Sequence, residues 1–559
     1  MSVQDDIRGY NEAKSIRNPH EPLWRTAAAH VLPQQYSKWQ TDGAPTIGGN
    51  AQSTNNAARV AYDTTGRRSL PKYQSVLERL ATPQGQVWHA LTPSDDNLKD
   101  IYAVKVYFDK LTKMLFRLRY HPKAKFTTSS NEMYGQIGVY GNGPMYIGER
   151  QRSARSRELG FKYVSCALAD MFFEVDDEGD VTGVYRRMWM NARQMRMKFP
   201  DTALPDRVMR ELEKSKPDEE HKYEVFHYVR PRPEVEYDEE ALDARRHPWK
   251  STYVSIESAM ELGDESGYQN MPYTVTRTMT MSGNPYGISP AILALPALGG
   301  ASVMKKSGLM LANRAAQPTW LAHDDGVLNG PVTFKPNAVN YGGLDKQGRE
   351  LIKELRGGEY AIAADALAME TRDIEDSFFV TLFQILTETP QMTATEVIER
   401  SAEKGALLSP VMGRLQSDFL GPAIEREIGL LSEMGLLPEM PPELKEAQGE
   451  YTVSYTSALA KSMYHEEVSG FMRTFEMAVG AANATGDPSA LDHFNLDVAL
   501  PEIADNLAAP TRWMNDEKAV EAMRKQRAEQ QAAQAAMQNA AGLAAAGKVA
   551  NEIEKEPTT

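Results

Sequence analysis

Cysteine is almost absent: Cys166 stands alone among 559 residues. A lone cysteine excludes an internal disulfide framework and a cysteine-built zinc finger, and it fits assembly in a reducing cytoplasm. It lies in the apolar run from Tyr163 to Leu168, so a buried, inert thiol is expected. Histidine is sparse too, ten in all, with no HExxH pair. No GxSxG nucleophile elbow occurs anywhere. Long apolar runs are missing: the longest, residues 291–301, is too short for a bilayer and is interrupted by Pro296, Gly299 and Gly300. The opening residues, Met1 to Asp6, hold neither a basic nor an apolar stretch, so no secretory signal is expected.

Excess positive charge is lacking as well. With 62 Lys and Arg against 76 Asp and Glu, the formal net charge is −14. A protein that grips nucleic acid gathers Lys and Arg onto the phosphates and gains affinity by releasing counterions. This balance argues against a tight grip and permits a role in which a nucleic acid slides past.

Two stretches imitate binding motifs. Residues 542–548 match the first seven positions of a phosphate-binding loop, but Val549 stands where a magnesium-holding hydroxyl is needed and an Ala-rich segment precedes it. Asp176-Asp177-Glu178-Gly179-Asp180 is acidic enough to suggest calcium. A calcium loop, however, needs glycine sixth and Glu twelfth, and Gly179 is the fourth residue from Asp176. Acidic pairs such as Asp324-Asp325 read as solvated faces. No catalytic, cofactor or metal site emerges, and none is expected.

What is present is a soluble composition, 42% apolar with a mean hydropathy of −0.49, and a length that allows three or four domains. Residues 1–125 read as mostly helical. Leu23, Trp24, Ala27, Ala28, Val31 and Leu32 share a face that Pro33 ends, and Val60 to Leu80 continues helical with an interruption at Pro71. Asn97 is positioned to cap a helix through Ile101, Val104, Phe108, Leu111 and Leu115. Residues 130–260 mix helix and strand. Met171 to Arg186 reads as a hairpin, with Tyr185 to Trp189 alternating between a buried and a solvated face, and Lys222 to Val229 and Pro272 to Arg277 read as further strands. Ser289 as N-cap with Pro290 behind it opens a helix to about Ala316. A stretch punctuated by Gly and Pro follows, from Pro318 to about Met369. A second helix is expected from Arg372 to Leu386, with Ile374, Phe378, Leu382 and Ile385 on one face. After a break, Thr393 and Glu396 form a capping box for a long helix that Pro410 and Pro422 should kink and Gly435 and Pro438 should end. The Ala- and Gln-rich last 45 residues cannot build a core alone.

Several local signatures occur in a fixed order. They are Trp24 with Leu32-Pro33, Leu80-Ala81-Thr82-Pro83 before Trp88, Val139-Tyr140-Gly141-Asn142-Gly143, and the hairpin leading to Arg186-Arg187. Pro285-Tyr286-Gly287-Ile288-Ser289-Pro290 and Met392-Thr393-Ala394-Thr395-Glu396-Val397 complete the series. In order and spacing, over roughly residues 15–515, they resemble the podovirus-type head-to-tail connector (portal) family of bacteriophages. The resemblance implies an α+β, mainly helical portal fold, assembled as a cyclic ring of about twelve copies. It implies a wing over 1–288 and 394–459, stem helices at 289–316 and 372–387, a clip at 317–371, a channel loop at 388–393 and a crown over 460–559.

By the same resemblance, the ring sits in the virion at the capsid vertex after assembly in the bacterial cytoplasm. It nucleates procapsid assembly, passes double-stranded DNA during packaging and ejection, and carries the tail. Its partners are further copies of itself, the large terminase subunit, tail adaptor and tail tube proteins, and the major capsid and scaffolding proteins, with no membrane and no cofactor. Thr387, Glu388, Thr389, Pro390, Gln391 and Met392 would line the channel. Lys305, Lys306 and Arg314 would face it, with salt bridges between neighbouring copies as the alternative. His323, Asp324, Asp325, Asn340 and Tyr341 would dock the motor or adaptor. Another phage structural protein, such as a tail component, is the rival reading, and an enzyme of phage DNA metabolism is a third.

Overall fold

The computed structural model describes residues 3–40, 61–99, 101–150, 159–200, 202–214, 221–238, 243–281, 283–317, 320–322, 332–333, 339, 344, 347–354, 360–381, 409–446, 450–455, 458–485, 491–496, 499–500, 503 and 520–533. The chain divides into two compact units, one of residues 1–88 and 114–437, the other of 89–113 and 438–559.

The first unit mixes helix and sheet, and among the described residues no sheet closes into a barrel. Its larger sheet is antiparallel, in the order Met171–Val175, Val181–Met190, Tyr223–Pro231, Trp249–Ser255, Met260–Glu261, with Ser266–Tyr268 also pairing to the fourth strand. The expected hairpin is its first pair, in the register Met171↔Arg186 to Val175↔Val181. Its acidic turn closes on itself. The Asp176 carboxylate accepts from the Asp180 N–H at 2.7 Å, and Gly179 adopts a φ of 93° that disfavours any side chain. The carboxylate's role is thus a turn, and among the described residues no group of three His, Cys, Asp or Glu could hold a metal ion.

The helix Val3–Arg17 lies on this sheet, with Tyr10 and Ala13 in a core with Phe172, Tyr185, Phe226, Tyr228 and Val254. Tyr185 and Tyr228 stack at 3.9 Å, and both hydroxyls donate to the Glu174 carboxylate, at 2.7 and 2.8 Å. The alternation expected along Val181–Met190 is only partial, since Gly183, Val184 and Tyr185 are buried in succession, and the buried positions include an arginine. Arg187 is enclosed, donating to the Ala169 carbonyl at 2.8 Å beside Asp170 and Glu224.

A second sheet has three antiparallel strands, Tyr273–Arg277, Asn142–Glu149 and Phe161–Ser165. Packed on it is the helix Phe126–Tyr140, nearly all of it buried. Cys166 is buried beside this sheet, and burial raises its thiol pKa.

Several helix limits differ from expectation. The Thr65–Ala81 helix runs through Pro71 without interruption. Asn97 caps nothing. Asp95 caps a short 3-10 turn by accepting the Asn97 N–H, and the helix proper is Tyr102–Arg119. The helix opened by Ser289 is two pieces, Pro290–Leu293 and Leu295–Ala316. Pro296 has no N–H to give and its ring crowds the carbonyl four residues back, so the ladder restarts at Leu298, which donates to Ala294. The other helix expected nearby begins at Tyr360, inside the stretch read as loop, and ends at Ser377; Val380 and Thr381 are helical again, and residues 382–386 lie outside the described residues. Phe379 breaks it with a φ of 57°, although no Pro or Gly stands there. Ile374 and Phe378 are buried as expected, and Phe378 and Phe379 both pack on Tyr73.

The long helix is described from residue 409, and the Thr393 capping box lies outside the described residues. Pro422 does not break it. A π-helical turn, Gln416–Leu420, precedes Gly421–Glu433 and accommodates the proline by shifting the hydrogen-bond ladder. Gly435, at a φ of 65°, ends the helix as expected, and Leu436 donates back to Leu431.

The second unit contains a two-stranded antiparallel ribbon, His89–Pro93 with Tyr451–Tyr455, and the helix Ala458–Thr485. Phe471, Phe475 and Phe494 pack edge-on or stacked within it. Residues 520–533 form a helix whose side chains are exposed along almost its whole length.

Candidate functional site

Three of the signatures noted in the sequence, Trp24, residues 139–143 and residues 285–290, converge on one buried junction, close to which the Leu295–Ala316 helix starts. Trp24 is enclosed there, its indole N–H donating to the Tyr140 carbonyl at 3.1 Å. Tyr286 and Trp39 pack on its ring, each with ring centres 5.1 Å away. Gly141 ends the Phe126–Tyr140 helix in the left-handed region, φ 79°, where a Cβ would run into the Gly287 carbonyl. The next residue, Asn142, is a two-way clamp. Its amide donates to the Tyr140 carbonyl at 2.9 Å, and its carbonyl accepts the Gly287 N–H at 3.0 Å. Ser289 closes the junction by donating to the Val139 carbonyl at 2.8 Å while accepting the Ile292 N–H at 3.0 Å. The helix start is therefore tied by its own N-cap to the end of another buried helix.

A second anchor holds the long helix. Glu427 is 0% exposed and accepts from Arg119 at 3.0 and 2.6 Å and from the Tyr163 hydroxyl at 2.7 Å. The Arg119 guanidinium also lies over the Trp88 ring, 4.6 Å from its centre. Burial and the adjacent Glu427 push the Tyr163 pKa well up, so its proton stays available to the carboxylate. Sequence reasoning missed this residue because acidic side chains default to solvent. The available signal was its place on the apolar stripe of Phe419, Ile424 and Leu431.

From the junction the Leu295–Ala316 and Tyr360–Ser377 helices run together. Gly300 lies against Glu370, and a cleft of about 70 Å3 between them is lined by Met304, Lys305, Gly308, Leu309, Ala312, Ala364 and Leu367. That volume suits a few waters and is far below the ~300 Å3 of ordinary ligand sites. Lys305 belongs to this cleft. Lys306 is on the outside, its ammonium 5.3 Å from the centre of the Tyr62 ring, and Arg314 is exposed near the far end. The other site candidates, Thr387 to Met392 and His323, Asp324, Asp325, Asn340 and Tyr341, lie outside the described residues.

One constellation imitates a catalytic relay. His227 sits between the Tyr273 hydroxyl, 2.7 Å from Nδ1, and the Ser251 hydroxyl, 2.9 Å from Nε2. All three are buried, and desolvation with Lys198 and Arg186 nearby drives the imidazole pKa far down. A neutral histidine here fastens the large sheet to the three-stranded one.

The bacteriophage head to tail connecting protein family model matches residues 5–514. This chain belongs to that family. It is 27% identical over 492 residues to a probable portal protein of Bordetella phage BPP-1, covering 85% of this chain and 84% of the relative. It is also 27% identical over 495 residues to the portal protein of Salmonella phage epsilon15, covering 87% and 84%. A chain from the virion of a native gene transfer agent particle overlaps 73% of this chain and 96% of its own. At 13% identity and a TM-score of 0.30, that overlap carries no weight for the fold. Every junction residue from Trp24 to Ser289 lies within the span matched by the head-to-tail connecting family, as does Glu427. Among the described residues no helix is long and apolar enough to cross a membrane.

Proposed function

We propose that this chain is the portal protein of a tailed bacteriophage, a component of the virion that joins head to tail and through which the genome enters and leaves. The observation that carries the reading is the family match along nearly the whole chain, together with two portal proteins among the relatives. In this reading about twelve copies close a ring at one capsid vertex, the Leu295 and Tyr360 helices form its stem, and the clip, expected over residues 317–371, narrows to the residues between those helices, 317–359. The ring nucleates the procapsid with the capsid and scaffolding proteins. The terminase motor docks on the clip during packaging and the tail adaptor replaces it afterwards. ATP hydrolysis belongs to the motor, and the portal's task is mechanical. A chain with a net charge of −14 suits that task, since a ring of such chains repels phosphate and lets DNA slide.

The purified protein is therefore expected to run at many times its chain mass of 62.3 kDa and to appear in negative stain as rings with a central hole. A stable monomer at micromolar concentration would remove the portal reading.

The channel loop offers a second test. Glu388 and Gln391, changed together to Lys, would set two positive charges per copy against the phosphates. Packaging and ejection are expected to slow most at low salt, in rings that still assemble. Rates that stay unchanged from low to moderate salt would place this loop away from DNA.

A further inference from the structure

The paired helices carry outward faces of opposite charge built to the same spacing. Since Gly300 meets Glu370 while Met304 to Ala312 meet Ala364 and Leu367, the two helices run antiparallel. Side chains advance by about 100° per residue along a helix, which identifies the faces turned away from the shared cleft. On the Leu295–Ala316 helix that face holds Val303, Lys306, Met310, Asn313 and Arg314, all exposed. Val303 is 65% and Met310 56% exposed, and the helix contains no acidic residue. On the Tyr360–Ser377 helix the outward face holds Asp365, Met369, Arg372, Asp373 and Asp376, also exposed, with Met369 at 70%. Lys306, Met310 and Arg314 step by one turn each, and so do Asp365, Met369 and Asp373. Each stripe is a bare methionine between two charges, positive on one helix and negative on the other. Among the described residues none of Lys306, Arg314, Asp365 and Asp373 has an ion-pair partner in its own chain.

A solvated face has no use for large apolar side chains at its centre, nor for charge sorted by helix. A ring of identical copies does. Cyclic closure joins two different surfaces of the same chain, so the faces must complement each other and not themselves. We propose that the Lys306–Met310–Arg314 face of one copy docks on the Asp365–Met369–Asp373 face of the next. The methionines form the dry centre, and the charges set register and exclude wrong pairings. This rests on the ring reading above and deepens it. It assigns Lys306 and Arg314 to the joint between copies and away from DNA. Rotation about the ring axis keeps the two helices antiparallel, and because each methionine is flanked symmetrically, aligning Met310 with Met369 brings opposite charges together at both ends.

The test is a charge swap split between two chains. Lys306→Glu with Arg314→Glu leaves both faces acidic, and Asp365→Lys with Asp373→Lys leaves both basic. Each variant alone is expected to fold, by circular dichroism, but to run as single chains or short oligomers in light scattering at low salt. Mixed in equal amounts, they are expected to form rings with the mass of the unaltered protein, the two variants alternating. Rings from either variant alone, including acidic-face rings with altered packaging, would overturn the interface while leaving the portal reading intact. A mixture that stays unassembled would overturn it too. An unaltered chain that remains monomeric would instead bring down the ring reading on which the interface depends.

Discussion

Replacing Glu427 with alanine is expected to cost about 3–5 kcal/mol of stability, among the largest losses available from a single side chain in the first unit. The carboxylate is fully enclosed and accepts three hydrogen bonds, two from Arg119 and one from Tyr163. Removing it leaves a guanidinium, itself 1% exposed, without the carboxylate to which it donates two bonds. The sign reverses if both partners go. Arg119→Met combined with Glu427→Leu removes the buried charges together, and such swaps are often neutral or stabilising by about 1–4 kcal/mol. Urea unfolding followed by circular dichroism would read both. A loss below about 1 kcal/mol for the single change would mean that Arg119 finds another partner, and the anchor would have to be redrawn.

Gly141→Ala is expected to loosen the root of the Leu295 helix. The left-handed backbone alone costs a non-glycine residue about 1–3 kcal/mol, and here the new Cβ also strikes the Gly287 carbonyl. Gly179→Ala is the matched control. Its φ of 93° is equally unfavourable, but nothing lies within 4 Å of the added carbon. The difference between the two variants isolates the close approach of the two chain segments from the conformational cost. Gly141→Ala should lower the unfolding midpoint more than Gly179→Ala and should also reduce the yield of rings, since Asn142 and Ser289 depend on that approach. Equal midpoints would show that the junction can open without cost.

Where a feature depends on a short stretch of chain, it was legible in advance. The Ser289 cap, the Gly435 stop, the strands around Tyr223 and Tyr273 and the self-closed acidic turn follow from residues within a few positions of one another. Two of the misses have equally local causes and a third does not. Pro296 divides a helix whose start was correctly placed, because its effect falls on the carbonyl four residues earlier. Residues 360–371 read as loop because the Gly and Pro punctuation ends close by, at Gly358, although Ala, Leu and Met favour helix. The turn at Phe379 has no sequence mark at all. It is held by the packing of Phe378 and Phe379 on Tyr73, roughly three hundred positions away in the chain.

The sequence by itself determined the class of protein: acidic, nearly free of cysteine, without an apolar span or a catalytic motif, its local signatures strung in the order of the head-to-tail connecting family. Those properties are sums over composition or depend on neighbours in the chain, so they survive without coordinates. Only the tertiary structure decided that Trp24, Gly141, Asn142, Tyr286 and Ser289 meet in one knot, that Arg187 and Glu427 are buried and bonded, and that Lys305 belongs to a cleft while Lys306 and Arg314 face outward. Whether a charge is solvated or enclosed depends on which distant segment covers it. Folding settles that by trading desolvation against hydrogen bonds across hundreds of positions, and no window of sequence contains both sides of the trade.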